Sequence, residues 1–127
     1  MKAPSDRLYT KTHEWIRIEG DEGVVGITDF AQDNLTDVTF VELPEIGRRV
    51  AARDQVCVIE SVKAAADVYS PVAGTISAVN PELESHPELI NSDPYGRGWI
   101  FRLALEQPAA TEGLLSAEEY GALITEK

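Results

Sequence analysis

Cysteine is almost absent. Cys57 stands alone among 127 residues, so no internal disulfide can form and nothing marks an oxidising compartment. Basic residues are scarce too: 11 lysines and arginines face 22 aspartates and glutamates, a net charge of −11. That field repels phosphate backbones, which argues against nucleic acid as a partner, and it favours basic partner surfaces. No apolar run approaches membrane-spanning length, so no membrane association is expected. The opening Met1-Lys2-Ala3-Pro4-Ser5-Asp6-Arg7 lacks the apolar centre of a secretory signal and has an early Asp. It reads as neither secretory nor mitochondrial targeting, and the expected location is cytoplasmic. A Gly-x-Ser-x-Gly elbow and a phosphate loop are both missing, which argues against a free-standing hydrolase. His13 and His86 lie far apart with no cysteine pair, so no metal site is expected. With no linker and no low-complexity segment, the chain reads as one domain over 1–127.

What is present is a succession of short β-prone runs separated by turn residues. Glu14-Trp15-Ile16-Arg17-Ile18-Glu19 alternates, placing Ile16 and Ile18 on one face of a half-buried strand. Gly20 to Gly23 is turn chemistry, and Val24 to Ile27 returns. Thr28-Asp29 supplies a helix cap, followed by Phe30, Ala31 and Leu35 as an apolar stripe. Val38–Leu43, Val56–Ser61, Ala64–Tyr69 and Gly74–Val79 read as strands, and Trp99–Leu103 as another that Pro108 breaks. Asn80-Pro81 opens a short helix to about Ser85. Ser116 followed by Glu119 has the form of a capping box, starting a C-terminal helix over 116–125 that Leu115, Tyr120, Leu123 and Ile124 dock on the sheet. Residues 1–8 are expected to be loosely ordered. The pattern is mostly β, a sandwich or barrel.

Within it, Val56-Cys57-Val58-Ile59 leads to Glu60-Ser61-Val62-Lys63-Ala64, and Asp67-Val68-Tyr69 leads away to Ser70-Pro71-Val72-Ala73-Gly74. Lys63 is thereby placed at the tip of a hairpin, held out from a sheet. An accessible, flexible amine suits covalent attachment of a carrier group. Val62 and Ala64 leave room beside it, and Glu60 and Asp67 put acid near it. Taken alone, Glu60 and Asp67 also read as solvated edge charges, Glu14 as either a pocket or an exposed strand residue, and Thr12 as an ordinary surface hydroxyl. Cys57, in an apolar run, reads as a small core hydrophobe. Trp15 and Trp99 read as packing residues, and Gly74 as fixing where a strand bends.

Several stretches together resemble the H-protein family of the glycine cleavage system. They are Tyr9-Thr10, His13-Glu14-Trp15, Gly26-Ile27-Thr28-Asp29, Ala31-Gln32, Val41-Glu42-Leu43-Pro44, Glu60-Ser61-Val62-Lys63-Ala64, Ser70-Pro71-Val72, and Asn91-Ser92-Asp93-Pro94-Tyr95-Gly96 with Gly98-Trp99. The matches run in order over nearly the whole chain. The resemblance implies a lipoyl/biotinyl-type β-sandwich (a barrel-sandwich hybrid) with short peripheral helices and a C-terminal helix. It implies lipoic acid amide-linked to Lys63, and a protein that catalyses nothing alone. By the same resemblance, a lipoate-attaching enzyme reads Glu60, Val62, Ala64 and Asp67, and the loaded arm folds into a cleft that includes Thr12, Glu14 and Asp67. The implied partners are a glycine decarboxylase that loads an aminomethyl group, a folate-dependent aminomethyltransferase that unloads it, and a dihydrolipoyl dehydrogenase. A monomer is expected. A lipoyl-relay or regulatory protein outside glycine turnover is the alternative. Three positions depart from the family pattern: Thr36 where Gly is usual, Thr39 where an apolar residue is usual, and Ala66 where Ser is common.

Overall fold

The computed structural model describes residues 3–106, 111 and 113–125. Its strands form two sheets. The larger has the order β1-β2-β3-β9-β8-β5, built from β1 (Leu8–Tyr9), β2 (Glu14–Glu19), β3 (Glu22–Ile27), β9 (Phe101–Leu105), β8 (Gly74–Val79) and β5 (Arg49–Val50). The smaller has the order β4-β6-β7, from β4 (Val38–Glu42), β6 (Gln55–Ser61) and β7 (Ala65–Tyr69). Pairing between neighbours is antiparallel throughout. Ile16, Val25, Val41, Val56, Cys57, Ile59, Val68, Ile76 and Leu103 fill one core, which is the expected sandwich. Cys57 is fully buried there, and burial pushes its thiol up to about 12, so it is an inert core residue.

The helices are peripheral. α1 (Asp29–Leu35) starts where Thr28 Oγ1 accepts the Ala31 amide at 3.2 Å, the cap anticipated from the sequence. α2 (Glu82–Ser85) and α3 (Leu89–Ser92) are single turns. α4 (Ala117–Thr125) begins one residue after Ser116, which caps it reciprocally with Glu119: the Ser116 amide donates to Glu119 Oε1 at 2.9 Å and the Glu119 amide to Ser116 Oγ at 3.1 Å. None of the described helices is long and apolar enough to cross a membrane.

Three expectations need correction. Strand β2 does not alternate cleanly: Trp15 is fully buried while Ile18 is 37 % exposed. The reason is a second apolar layer. α4 covers the outer face of the larger sheet, and Tyr9, Trp15, Val24 and Tyr120 form a separate cluster beneath it. Trp15 donates its indole N–H to the Pro94 carbonyl at 3.0 Å, as a buried indole requires. The N-terminal segment is held more firmly than expected from Arg7 onward. Arg7 is buried, lies 4.6 Å from the Trp15 ring and donates to the Tyr95 carbonyl, and Leu8–Tyr9 pairs with β2. The last strand starts at Phe101 rather than Trp99, because the Asn80 side-chain amide takes the carbonyls of Arg97 and Trp99 at 2.7 and 2.8 Å. Pro108, expected to break it, lies outside the described residues.

Gly74 is required by close approach rather than by a bend: a Cβ there would sit 2.7 Å from the Ala104 carbonyl oxygen. Thr36 shows why glycine is the usual family residue at its position. It ends α1 with φ 61° and ψ −144°, a region only glycine adopts without strain. Its amide still donates to the Gln32 carbonyl, and its carbonyl accepts the Asn91 amide at 2.7 Å. Thr36→Gly should therefore stabilise the fold by about 1 kcal/mol, a rise of about 3–5 °C in the thermal midpoint. An unchanged or lower midpoint would mean that the helix end tolerates threonine without cost.

Candidate functional site

The hairpin tip is built from strand pairing and one serine. β6 and β7 pair from Gln55↔Tyr69 to Glu60↔Ala65, leaving Ser61 to Ala64 as the turn. The Ser61 amide donates to the Ala64 carbonyl at 2.8 Å, and Ser61 Oγ accepts the amides of Lys63 and Ala64 at 3.3 and 3.1 Å. The Val62 amide donates to the Asp37 carbonyl at 3.0 Å, tying the turn to the start of β4. The backbone under Lys63 is thus fixed while its side chain is exposed, and no ion pair among the described residues engages it. Val62, beside it, is 66 % exposed, and Ala64 and Glu60 are exposed as well. The hydroxyl of Thr39 donates to the Glu60 carbonyl at 3.2 Å from an exposed position on β4. A polar residue is therefore at home where the family pattern is apolar.

Along β7 from this tip lies a cleft of about 200 Å³. One wall is the β1–β2 turn and the first residue of β2 (Thr12, His13, Glu14), and the opposite wall is α1 (Ala31, Asn34, Leu35). Ile27, Ile59 and the β7 residues Ala66, Asp67 and Val68 complete it. Most of this lining is apolar. Among its polar residues (Thr12, His13, Glu14, Asn34 and Asp67), Glu14 is buried, at 1 % exposed. Its Oε1 accepts the hydroxyls of Thr10 and Thr12 at 2.6 and 2.5 Å, and its Oε2 accepts the Tyr69 amide at 3.2 Å. Burial pushes the Glu14 carboxyl above the usual carboxylate range, and these three donors pull against that shift. No lysine or arginine pairs with Glu14 among the described residues. A buried carboxylate without a cation, at the edge of an apolar cleft, is suited to receive a small cation.

Sequence reasoning leaves Glu14 open between a pocket and an exposed strand; the structure buries it. Thr12, read alone as an ordinary hydroxyl, donates to it. Thr12, Glu14 and Asp67 line one cleft, whereas Glu60, Val62 and Ala64 stay at the tip. Ala66 is half-buried and lines the cleft, so its departure from the family pattern bears on the cleft wall more than on the hairpin tip. Two polar cleft residues are not assigned to it by the sequence reading. Asn34 reads only as a helix residue, and His13 enters only within the family match and as a histidine for which no metal site is expected. Neither carries a local signal, because the packing of α1 against the β1–β2 turn brings them to the cleft.

Comparison with known proteins agrees with the fold. The family described as glycine cleavage H-protein matches residues 7–127. A glycine cleavage system H protein of Thermus thermophilus is 58 % identical over 120 residues, 94 % of each chain. That of Symbiobacterium thermophilum is 55 % identical over 123 residues, 97 % of this chain and 96 % of the relative. A crystal structure of a glycine cleavage system H protein from Mycobacterium marinum aligns with a TM-score of 0.87 at 40 % identity, covering 96 % of this chain and 98 % of that chain.

Proposed function

Because the chain belongs to the glycine cleavage H-protein family, we propose that Lys63 is its lipoyl attachment point and that the cleft beside β7 shelters the loaded arm. The protein is a lipoyl carrier of the glycine cleavage system and works with the other components of that system. In this reading it has no catalytic residues of its own and forms one domain over 1–127, monomeric and cytoplasmic. Its partners are glycine decarboxylase, the folate-dependent aminomethyltransferase, dihydrolipoyl dehydrogenase and a lipoate-attaching enzyme.

The observation that carries the reading is an exposed amine on a fixed turn, next to a cleft with a buried carboxylate that no lysine or arginine pairs among the described residues. The residues fit a lipoyl group. Lys63 offers its amine for an amide bond, and Ile27, Ala31, Leu35, Ile59 and Val68 offer an apolar lining for an aliphatic arm. Ala66 and Asp67 lie three and four positions beyond Lys63, about 10–13 Å along a strand, so cleft and tether are neighbours. When bound, the group supplies a disulfide that takes up the aminomethyl cargo and remains as a dithiol after delivery. Amide formation removes the Lys63 charge. Glu14, with Thr12 beside it and Asp67 at the rim, holds the cargo's ammonium, and the apolar wall limits water. Glu60, Val62, Ala64 and Asp67 form the surface that the attaching enzyme reads. A tethered group visits several active sites without dissociating, which raises its effective concentration at each.

Reconstitution tests this. Glycine turnover by the three partner enzymes should require the lipoylated protein and saturate with it. The net charge of −11 steers the carrier to basic surfaces, so its Michaelis constant should rise with added salt. Turnover no greater than without the protein would favour a lipoyl-relay role, and a salt-independent Michaelis constant would remove the steering account.

A further inference from the structure

The two walls of the cleft are joined by one side chain from a different part of the chain. Tyr120, on α4, is fully buried. Its hydroxyl lies 2.8 Å from His13 Nδ1, in the first wall, and 2.7 Å from Thr28 Oγ1, the cap of the helix that forms the second. Thr28 Oγ1 already accepts the Ala31 amide. Each group can therefore both receive and give in one direction: Ala31 amide to Thr28 Oγ1, Thr28 hydroxyl to Tyr120 Oη, Tyr120 hydroxyl to His13 Nδ1. The Thr28 amide donates to the His13 carbonyl at 3.0 Å, so the same two residues are also joined through backbone.

The neighbours hold Tyr120 in place. Its ring stacks on Tyr9 at 4.8 Å with an 11° interplanar angle, and the His13 ring packs on Phe30 at 4.7 Å. His13 has φ 73°, a conformation that costs a β-carbon residue energy and persists where the surroundings enforce it. Its amide donates to the Thr10 carbonyl, and Thr10 in turn donates to Glu14. The strained residue therefore sits between the Tyr120 hydroxyl and the carboxylate that receives the cargo.

We infer that Tyr120 is a positioning residue for arm protection: through His13 and Thr28 its hydroxyl sets the separation of the cleft walls and the placement of Thr10, Thr12 and Glu14. This rests on the cleft reading above. It makes the C-terminal helix part of the carrier function, although α4 contributes no residue to the cleft itself.

The test is Tyr120→Phe, which keeps the ring and removes the hydroxyl. Three readouts are compared with wild type: the lipoylation rate, formaldehyde release from the loaded protein (hydrolysis of the cargo yields formaldehyde and ammonium and leaves the thiol), and the nitrogen NMR shift of His13 Nδ1 in the unloaded protein. The lipoylation rate should not change. Formaldehyde release should rise about three- to tenfold, the span that follows from the net worth of one hydrogen bond. The Nδ1 resonance should move, since it loses its hydrogen-bond partner. Ile76→Val, a core change on β8, serves as a control for general loosening and should leave release unchanged. Wild-type release in Tyr120→Phe, an unmoved Nδ1 resonance, or equal acceleration in Ile76→Val would each overturn the proposal. If Glu14→Ala also fails to accelerate release, the cleft reading itself has failed. If Glu14→Ala accelerates release and Tyr120→Phe does not, only the role of Tyr120 is lost.

Discussion

Replacing Lys63 by arginine is expected to reduce glycine turnover to the level seen without carrier, while the thermal midpoint stays where it was. The guanidinium keeps its proton at any accessible pH and does not form the amide that a lysine amine forms. The structural cost should be small. Position 63 is exposed, and its turn is held by backbone and by Ser61 rather than by the lysine side chain. Exposed substitutions of this kind stay within about 0.5 kcal/mol. Turnover assays and thermal melts on the same preparation separate the two quantities. Turnover clearly above the blank would move the tether elsewhere, and Lys11 would then need examination.

Glu14→Ala should leave lipoylation intact and accelerate loss of the carried group about 10- to 100-fold. A hydrogen bond to a charged group is worth about 1.5–3 kcal/mol net, and each 1.4 kcal/mol is about a factor of ten. Formaldehyde release from the loaded protein gives the rate, and an unchanged rate would remove Glu14 from the cleft's function. The same residue predicts a pH effect on the unloaded protein. Because burial raises its pKa in the folded state, the folded chain binds that proton more tightly than the unfolded chain does. The group therefore contributes stability that is fully present below the ordinary value of 4.5 and is lost as pH rises through the raised one. Wild type should gain stability relative to Glu14→Gln as pH falls through the raised value toward the ordinary 4.5. The opposite trend would mean that the three donors outweigh desolvation. Burial disfavours the charged form of Glu14, and an ammonium beside it would offset that cost.

Much of the fold is readable because it is local. Pro44, Pro71 and Gly74 mark limits of β4, β7 and β8, and the β-prone runs on either side of Lys63 give β6 and β7 to within a residue. Thr28 and the Ser116–Glu119 box mark helix starts through hydrogen bonds that span three residues. Lys63 is legible as a hairpin tip for the same reason. What cannot be read depends on distant partners. Trp15 reads as a packing residue, but what it packs against cannot be read, because α4, which covers it, is attached far along the chain. Glu14 cannot be assigned from its own strand, since the amide that satisfies it belongs to Tyr69, 55 residues away. His13 gains its role only through Tyr120, at a separation of 107. Thr36 is visible as a departure from a family pattern, but its cost becomes clear only with its backbone angles.

Peptide-mapping mass spectrometry of the wild-type protein, made in cells supplied with lipoate and its ligase, tests the tether most directly. The peptide containing Lys63 should carry a lipoyl adduct, and the peptide containing Lys11 should carry none. A bare Lys63, or an adduct on another residue, would contradict the account.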